Sequence, residues 1–263
     1  MDLTSPRVIK NLLNKHNIKP SKHLGQNFLI SKSTIKELIN AADINSEDVI
    51  LEVGPGIGTI TVELAKLAKQ VIAVEKDKAL LPVLKETTQD FSNIEVLHED
   101  ILKVSSFKFQ ASSFKLVGNI PYYLTAPLIR KFLEYPNPPS AIVFMVQKEM
   151  AQRICAKPPN MSILAVSVQV YSKPEIITYV SKSSFWPMPK VDSAIIKITP
   201  INANMKANQR EFFKIVKSGF SNPRKQLGNN LPKELLLKAG IDPKRRAETL
   251  SVEEWTRITT CSL

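Results

Sequence analysis

Short runs of mostly apolar residues alternate with segments of helical periodicity through the first two thirds of the chain. A continuous apolar run bounded by turn residues is typical of a buried strand, whereas apolar residues at a spacing of three or four predict an amphipathic helix. Alternation of the two predicts an α/β fold built on an open parallel sheet. Strands are predicted at 49–53, 71–74, 94–98, 116–119 and 141–146, and helices at 8–15, 35–42, 59–68, 126–133 and 147–156.

The pattern changes after residue 160. Residues 161–171 suit a helix or a strand equally, and 175–180 with 194–198 predict a hairpin-like closure of the sheet. From about residue 202 strands give way to short helices. We therefore predict a first domain at 1–202, with a basic segment at 1–30, and a small helical domain at 203–263. The short helices of that domain are predicted at 210–219, 224–231, 232–239 and 252–259.

Positive charge is concentrated at the two ends of the chain. The net charge is +12, and residues 1–30 contain five Lys or Arg against one acid. Residues 205–263 contain twelve Lys or Arg against six acids, so the middle of the chain is nearly neutral. This distribution favours a polyanion such as nucleic acid held by the flanks, although ordinary solvated lysines give the same count.

Composition excludes several classes of protein. Hydrophobic residues make up 43% of the chain, which is enough for a core, and no apolar run reaches membrane-spanning length. The first residues lack the pattern of a signal peptide. Two distant cysteines and three histidines have no metal-ligand spacing. We expect a cytoplasmic protein without a membrane segment or a metal centre.

A glycine-rich loop directly follows the strand predicted at 49–53. Gly54, Gly56 and Gly58 fall within five residues, and glycine lets the backbone turn tightly and approach a ligand. The spacing is G-x-G-x-G rather than the G-x-G-x-x-G of dinucleotide sites, and Glu52 stands just before it. An acid beside the loop repels a pyrophosphate but suits a ligand with a cationic end, such as S-adenosylmethionine. An ordinary strand-to-helix turn is the alternative.

Polar side chains lie at the carboxyl ends of the next three predicted strands. Glu75 follows the second strand, where a nucleoside ribose offers its hydroxyl groups, and Asp100 with Ile101 follows the third, where adenine can be held. The fourth strand ends at Asn119. Ligands of open parallel sheets bind at the carboxyl ends of the strands. One such acid is often a solvated strand end, but four consecutive ends predict a nucleoside-binding edge.

The stretch from Asn119 to Tyr122 suits the amino group of a flat nitrogen base. The Asn119 side-chain oxygen can accept a hydrogen bond from an amine, and Pro121 lacks a competing N–H. Tyr122 offers a face for stacking, and Phe185, in a proline-rich segment, offers a second. A plain turn and a core aromatic are the respective alternatives.

Together these motifs resemble those of the ribosomal RNA adenine dimethyltransferases, in particular the bacterial small-subunit enzymes. The resemblance covers nearly the whole chain and includes residues 24–29, 52–58, 119–122, 185–193, 224–225, 241–243 and 246–248. One departure is the Asn222-Pro223 pair before Arg224, where the family often has arginines.

The resemblance implies a Rossmann-like class I methyltransferase domain that uses S-adenosylmethionine. It implies dimethylation of two adjacent adenosines near the 3′ end of 16S rRNA, within an assembling 30S particle. The oligomeric state cannot be read from the sequence, and we expect a monomer. The implied catalytic residues are Asn119, Pro121, Tyr122 and Phe185. The implied RNA-binding residues are Arg224 and Lys225. The implied cofactor-binding residues are Gln26, Asn27, Leu29, Glu52, Gly54, Gly56, Glu75, Lys76, Asp100, Ile101 and Asn119.

Three alternatives stay open at this stage. A resistance-type methyltransferase of the large-subunit (23S) RNA shares the Asn-Ile-Pro-Tyr strand end, although residues 240–255 favour the small-subunit enzymes. DNA adenine methyltransferases usually carry Asp-Pro-Pro-Tyr instead. A non-catalytic ribosome-assembly factor on the same fold is disfavoured by the intact Glu75, Asp100, Asn119 and Tyr122.

Overall fold

The computed structural model describes residues 1–21, 23–104, 113–201 and 209–262, except for the side chain of Tyr122. The chain divides into two compact units. The first comprises Met1–Ala151 and Glu175–Pro200, and the second comprises Gln152–Pro174 and Ile201–Leu263. The second unit thus also takes in residues 152–174, which the division predicted from sequence assigned to the first domain.

A seven-stranded sheet with the order β4-β3-β2-β5-β6-β9-β7 forms the centre of the fold. Strands β2 to β6 pair in parallel, and β9 pairs antiparallel to β6. A separate pair, β1 with β8, is antiparallel. The strands are β1 (Phe28–Leu29), β2 (Val49–Val53), β3 (Gln70–Glu75), β4 (Ile94–His98), β5 (Lys115–Asn119), β6 (Ala141–Gln147), β7 (Ser172–Val180), β8 (Phe185–Trp186) and β9 (Ser193–Pro200).

Most predicted helices are present, and the ambiguous segment 161–171 contains a helix at Ile163–Gln169. Two predictions were too long. The predicted helix 59–68 is regular only over Thr61–Ala65, with hydrogen-bonded turns on either side. The predicted helix 224–231 contains only a 3-10 turn, Leu227–Asn229, because the Leu227 and Gly228 amides bond to a distant segment instead. The helices are α1 (Pro6–Lys15), α2 (Lys32–Ala42), α3 (Thr61–Ala65), α4 (Leu81–Thr88), α5 (Thr125–Leu133), α6 (Lys148–Ile154), α7 (Ile163–Gln169), α8 (Gln209–Gly219), α9 (Lys233–Lys238) and α10 (Val252–Ser262).

Burial explains why the apolar runs were good predictors. In β6 the first six residues are all buried, and β2 is buried except at its first residue. Because β2, β3, β4 and β5 are parallel neighbours, their carboxyl ends meet at one edge of the sheet. The candidate site residues at these strand ends are therefore brought together as the sequence predicted.

The second unit has its own apolar core. Helix α7 contributes Ala165 and Val166, which share one buried cluster with Phe212, Val216 and Trp255 of the C-terminal helices. This packing explains why residues 152–174 belong with the C-terminal segment. The sequence does not predict that residues 152–174 pack with the C-terminal segment, because a short apolar helix does not indicate which distant helices it contacts.

Candidate active site

A cleft opens at the carboxyl edge of the parallel strands. The tips of β2, β3 and β5, the segment after β4 and the polar loop before β1 all contribute to its wall. The lining residues are 24–29, 53–56, 59–60, 74–76, 80, 99–102, 119, 121 and 123–124. The cleft thus contains most of the predicted cofactor-binding residues.

The glycine-rich loop after β2 has a backbone that favours glycine. Gly54 and Gly56 have φ values of +67° and +62°, in the left-handed region where a side chain is strained. Among the described residues other than Gly54 and its two neighbours, no heavy atom lies within 4 Å of the position that a Cβ would take at Gly54, so this side of the loop is open. The loop therefore presents bare backbone to the cleft.

Glu75 is fixed at the tip of β3 by backbone amides. The Gly56 N–H donates to Oε2 at 3.0 Å, and the Asp77 N–H donates to Oε1 at 2.7 Å. Burial raises the pKa of Glu75, against the opposing effect of these two amides. A carboxylate has about four acceptor positions, so acceptor capacity stays available for hydroxyl groups of a ligand.

Asp100 and Lys76 form an ion pair at the mouth of the cleft, with Lys76 Nζ 2.9 Å from Asp100 Oδ2. The Leu102 N–H donates to the other oxygen, Oδ1, at 3.0 Å. Burial alone would raise the pKa of Asp100, but these hydrogen bonds outweigh it and the pKa is lowered. The contact with Asp100 in turn raises the pKa of Lys76. Asp100 is therefore an ionised acceptor with a set orientation.

Lys131 of α5 holds the segment that follows Asp100. Its ammonium group donates to the carbonyls of Ile101, Leu102 and Val104 at 2.8, 3.0 and 2.7 Å. Burial lowers the pKa of Lys131. This contact could not be predicted from the sequence, since a single lysine in an amphipathic helix is indistinguishable from a solvated one.

The Asn119 side chain faces the cleft in a defined orientation. Its Nδ2 donates to the backbone carbonyl of Asn27 at 3.0 Å. That bond uses the amide's donor side and leaves Oδ1 as the acceptor, with no donor bonded to it among the described residues. Asn119 can therefore accept a hydrogen bond from an amine.

The residues around Asn119 differ in accessibility. Pro121 lines the cleft, as does Tyr123, which is 56% exposed. The predicted stacking residue Tyr122 opens a short 3-10 helix, but its side chain lies outside the described structure. Tyr123 was not among the predicted site residues, and the only sequence signal for it is a second phenol beside that of Tyr122.

Asn27, Leu29, Gly54, Gly56, Lys76 and Ile101 line the cleft, as does Gln26, whereas Glu52 does not. Both ends of the Gln26 amide are engaged: Oε1 accepts the Ser21 N–H and Nε2 donates to Asp77 Oδ2, both at 2.6 Å. Glu52 is 1% exposed and does not line the cleft. It lies inside β2, and burial raises its pKa to about 8. Glu52 therefore lies in the interior of β2 and not in the wall of the cleft.

Replacing Glu52 by Gln is expected to flatten the pH dependence of stability. The unfolded chain releases this proton near the ordinary pKa of 4.5, whereas the folded protein retains it up to about 8. Unfolding therefore releases a proton in this window, and the free energy of unfolding falls as pH rises, by up to ~1.4 kcal/mol per pH unit. Urea titrations from pH 4 to 9 measure it. The two proteins should converge at low pH, and an unchanged slope between pH 5 and 8 contradicts the assignment.

Phe185 also differs from its predicted role. It is 4% exposed, pairs with Leu29 across β1 and β8, and belongs to a buried cluster with Leu29 and Ile195. Its ring does not line the cleft. Phe185 therefore packs in the core and not in the wall of the cleft.

Phe185→Ala is accordingly expected to destabilise the fold by ~3–5 kcal/mol, since a truncated core aromatic leaves a cavity. Tyr123→Ala, in which an exposed ring is removed, should cost less than ~1 kcal/mol. Chemical denaturation of the two variants measures both values. Equal stabilities would mean that Phe185 is not a core residue.

The described residues contain no cluster of histidine, cysteine or acidic side chains that could hold a metal ion. Within the same ranges, no helix is both long and apolar enough to cross a membrane.

Comparisons with known proteins agree on one family. The sequence pattern described as ribosomal RNA adenine dimethylase matches residues 15–262. A ribosomal RNA small subunit methyltransferase A from Dehalococcoides mccartyi (strain CBDB1) is 43% identical, with 95% of this chain and 90% of the relative covered. A protein of the same name from Clostridium botulinum (strain ATCC 19397 / Type A) is 41% identical, with 96% and 97% covered.

Solved structures give the same result. A dimethyladenosine transferase from Plasmodium falciparum superposes with a TM-score of 0.77 at 28% identity, over 88% of this chain and 95% of that one. The 23S rRNA methyltransferase ErmE gives 0.75 at 27% identity, over 89% and 99%. These likenesses confirm the predicted Rossmann-like methyltransferase fold. The chain belongs to the ribosomal RNA adenine dimethylase family of methyltransferases.

Proposed function

We propose that the protein dimethylates N6 of two adjacent adenosines near the 3′ end of 16S rRNA, with S-adenosylmethionine as methyl donor. It acts in the cytoplasm on the assembling small ribosomal subunit. The observation that supports this most directly is the orientation of the Asn119 amide, whose oxygen is left as an acceptor by the bond of Nδ2 to the Asn27 carbonyl. Asn119 lines the same cleft as Gly54 and Glu75. The names of the relatives, small subunit methyltransferase A, support the choice of substrate.

The cleft fits S-adenosylmethionine by the chemistry of its walls. The open space beside Gly54 accommodates an amino-acid end close to the backbone, and Glu75 has acceptor positions left for ribose hydroxyls. Asp100 and Ile101 offer an acceptor and an apolar surface for adenine. When bound, the cofactor supplies an electrophilic methyl group on a positively charged sulfur.

The residues of this chain hold and aim the nucleophile. An adenine amino nitrogen is a poor nucleophile because its lone pair is delocalised into the ring. Asn119 Oδ1 accepts one amine hydrogen, and we assign the second to the Ile120 carbonyl, since the Pro121 carbonyl already accepts the Leu124 N–H at 2.9 Å. Two such bonds favour a pyramidal nitrogen with its lone pair directed across the cleft. This is catalysis by positioning and electrostatics.

Proton removal needs no strong base in this arrangement. The amine nitrogen becomes much more acidic as it gains the methyl group, so water or a carbonyl acceptor suffices to take its proton. Dimethylation requires the once-methylated amine to rotate and return to the same acceptors. The target base must be unpaired or flipped out of a helix to enter the cleft, where Tyr123 lines the wall.

Charge reversal at Arg224 and Lys225 is expected to weaken RNA binding and to reduce its salt dependence. Both side chains are exposed, and neither forms an ion pair within the part of the chain that the structure describes. Two lost phosphate contacts should reduce the slope of log K against log salt by about 1.5–2. Filter-binding titrations over a range of salt concentrations measure it. Reversal of Lys214 and Arg257, whose charges already pair with Glu211 and Glu254, is the matched control. Equal slopes for the two variants would remove Arg224 and Lys225 from the RNA-binding surface.

Two alternatives can be separated from this proposal. Methylation of large-subunit RNA is favoured by the similarity to the 23S rRNA methyltransferase ErmE, but that protein is 27% identical, against 41–43% for the small-subunit relatives. A non-catalytic assembly factor needs no intact cleft, whereas this chain retains Glu75, Asp100 and Asn119 there.

The test is transfer of labelled methyl groups from S-adenosylmethionine to undermethylated small subunits, with large subunits and DNA as controls. The proposal predicts labelling of small subunits alone. Labelling of large subunits would move the protein to the resistance class. RNA binding without transfer would favour the assembly factor.

A further inference from the structure

We propose that Gln26 and Asp77 form a latch that positions Asn119 for the reaction. The family resemblance lists Gln26 only as a cofactor-binding residue and gives Asp77 no role, so the positioning of Asn119 is a new assignment for both. The inference rests on the proposed function only for its activity measurement. It concerns positioning residues, which act on the substrate through Asn119.

The latch begins at the cofactor side of the cleft. Asp77 follows the tip of β3, where its N–H holds Glu75 Oε1 at 2.7 Å. Its own side chain is bonded at both oxygens: Oδ1 accepts the Ala79 N–H at 3.0 Å, and Oδ2 accepts Gln26 Nε2 at 2.6 Å. A charged acceptor makes the last contact stronger than a hydrogen bond between neutral groups.

The latch continues into the polar loop before β1. Gln26 Oε1 accepts the Ser21 N–H at 2.6 Å, and the Gln26 N–H donates to the Ser21 carbonyl at 3.1 Å. This part of the loop is therefore closed on itself and tied to β3 through one side chain. Asn27, the next residue, is set in place by these bonds and by its own Nδ2 contact to the Gly25 carbonyl at 3.1 Å.

The loop then reaches the reacting group. The Asn27 carbonyl accepts Asn119 Nδ2 at 3.0 Å, and this contact determines which end of the amide faces the amine. If the carbonyl moves, the amide can rotate and present its NH2 group, which cannot accept from an amine. The chain of contacts from Glu75 to Asn119 thus links the ribose side of the cleft to the target side.

The chemistry of the pair allows a swap that separates positioning from general damage. Gln26→Glu places a carboxylate against Asp77 and breaks the latch by repulsion. Asp77→Asn combined with Gln26→Glu restores it with donor and acceptor exchanged: Asn Nδ2 then donates to the new Glu, which still accepts the Ser21 N–H. The new Asn Oδ1 still accepts the Ala79 N–H. Every hydrogen bond of the latch is preserved in the double variant.

The experiment compares the unmodified protein, Gln26→Glu, Asp77→Asn and the double variant. We expect Gln26→Glu to lower kcat by ~10-fold or more, with a smaller change in the affinity for S-adenosylmethionine, and Asp77→Asn to lower it less. The double variant should recover to within ~3-fold of the unmodified protein. A double variant no better than Gln26→Glu overturns the proposal, as does an unchanged kcat in Gln26→Glu.

A second measurement does not depend on activity. Hydrogen exchange of a peptide covering residues 23–29 should be faster in Gln26→Glu and return toward the unmodified rate in the double variant. If exchange in Gln26→Glu is no faster than in the unmodified protein, or is not slowed again in the double variant, the latch is overturned even if all four proteins are active. If the unmodified protein methylates nothing, the proposed function fails while the exchange data still decide the latch. Thermal melts show whether each variant folds. If Gln26→Glu does not fold, Asp77→Asn is compared with the double variant instead.

Discussion

Asn119→Ala is expected to lower the rate of methyl transfer by at least ~100-fold, because a single positioned hydrogen-bonding group at a reacting centre is worth about that much. The substitution removes Oδ1, the acceptor that faces the cleft, together with the Nδ2 contact to the Asn27 carbonyl. Binding of S-adenosylmethionine should be weakened but retained, since the glycine loop, Glu75 and Asp100 are untouched. Single-turnover transfer and calorimetric binding measure the two effects separately.

Asn11→Ala is the matched control for that experiment, because Asn11 is exposed on α1 and its truncation removes the same atoms. Its transfer rate should equal that of the unmodified protein. Transfer by Asn119→Ala at the unmodified rate would show that another group holds the target amine.

Glu75→Ala is expected to weaken binding of S-adenosylmethionine by at least ~100-fold. The substitution removes the acceptors proposed for the ribose hydroxyls, and hydrogen bonds to a charged group are worth about 1.5–3 kcal/mol each. It also leaves the Gly56 and Asp77 amides without their partner, so the loop loses its fixed position. Isothermal titration calorimetry measures the affinity directly.

A carboxylate remote from the cleft provides the comparison for Glu75. Glu47 has a side chain that is 83% exposed, so Glu47→Ala should bind S-adenosylmethionine as tightly as the unmodified protein does. If Glu75→Ala retains full affinity, the ribose is held elsewhere and the assignment of Glu75 is wrong.

The parts of the fold that could be predicted from sequence are those encoded by local pattern. Strand β2 was predicted with its observed bounds, because a strand buried on both faces reads as one apolar run. The glycine loop and the polar residues at the strand tips follow from the same logic. Parallel strands place their carboxyl ends together, so the sequence order alone locates the cleft.

The parts that could not be predicted depend on contacts between distant segments. Phe185 reads as a possible stacking surface until its pairing with Leu29 buries it. Gln26 lines the cleft, but the bond of its amide to Asp77, 51 residues away, could not be predicted from the sequence. Glu52 precedes the glycines, but a strand alternates its side chains between two faces, and local sequence does not tell which face a ligand approaches.

The central claim is best tested by identifying the product on small-subunit RNA. Undermethylated small subunits are incubated with the protein and S-adenosylmethionine, and the RNA is digested and analysed by mass spectrometry with the modified positions mapped. The account predicts N6,N6-dimethyladenosine at two adjacent positions near the 3′ end, and none in the Asn119→Ala reaction. Intact RNA that binds the protein but yields no methylated adenosine would contradict it.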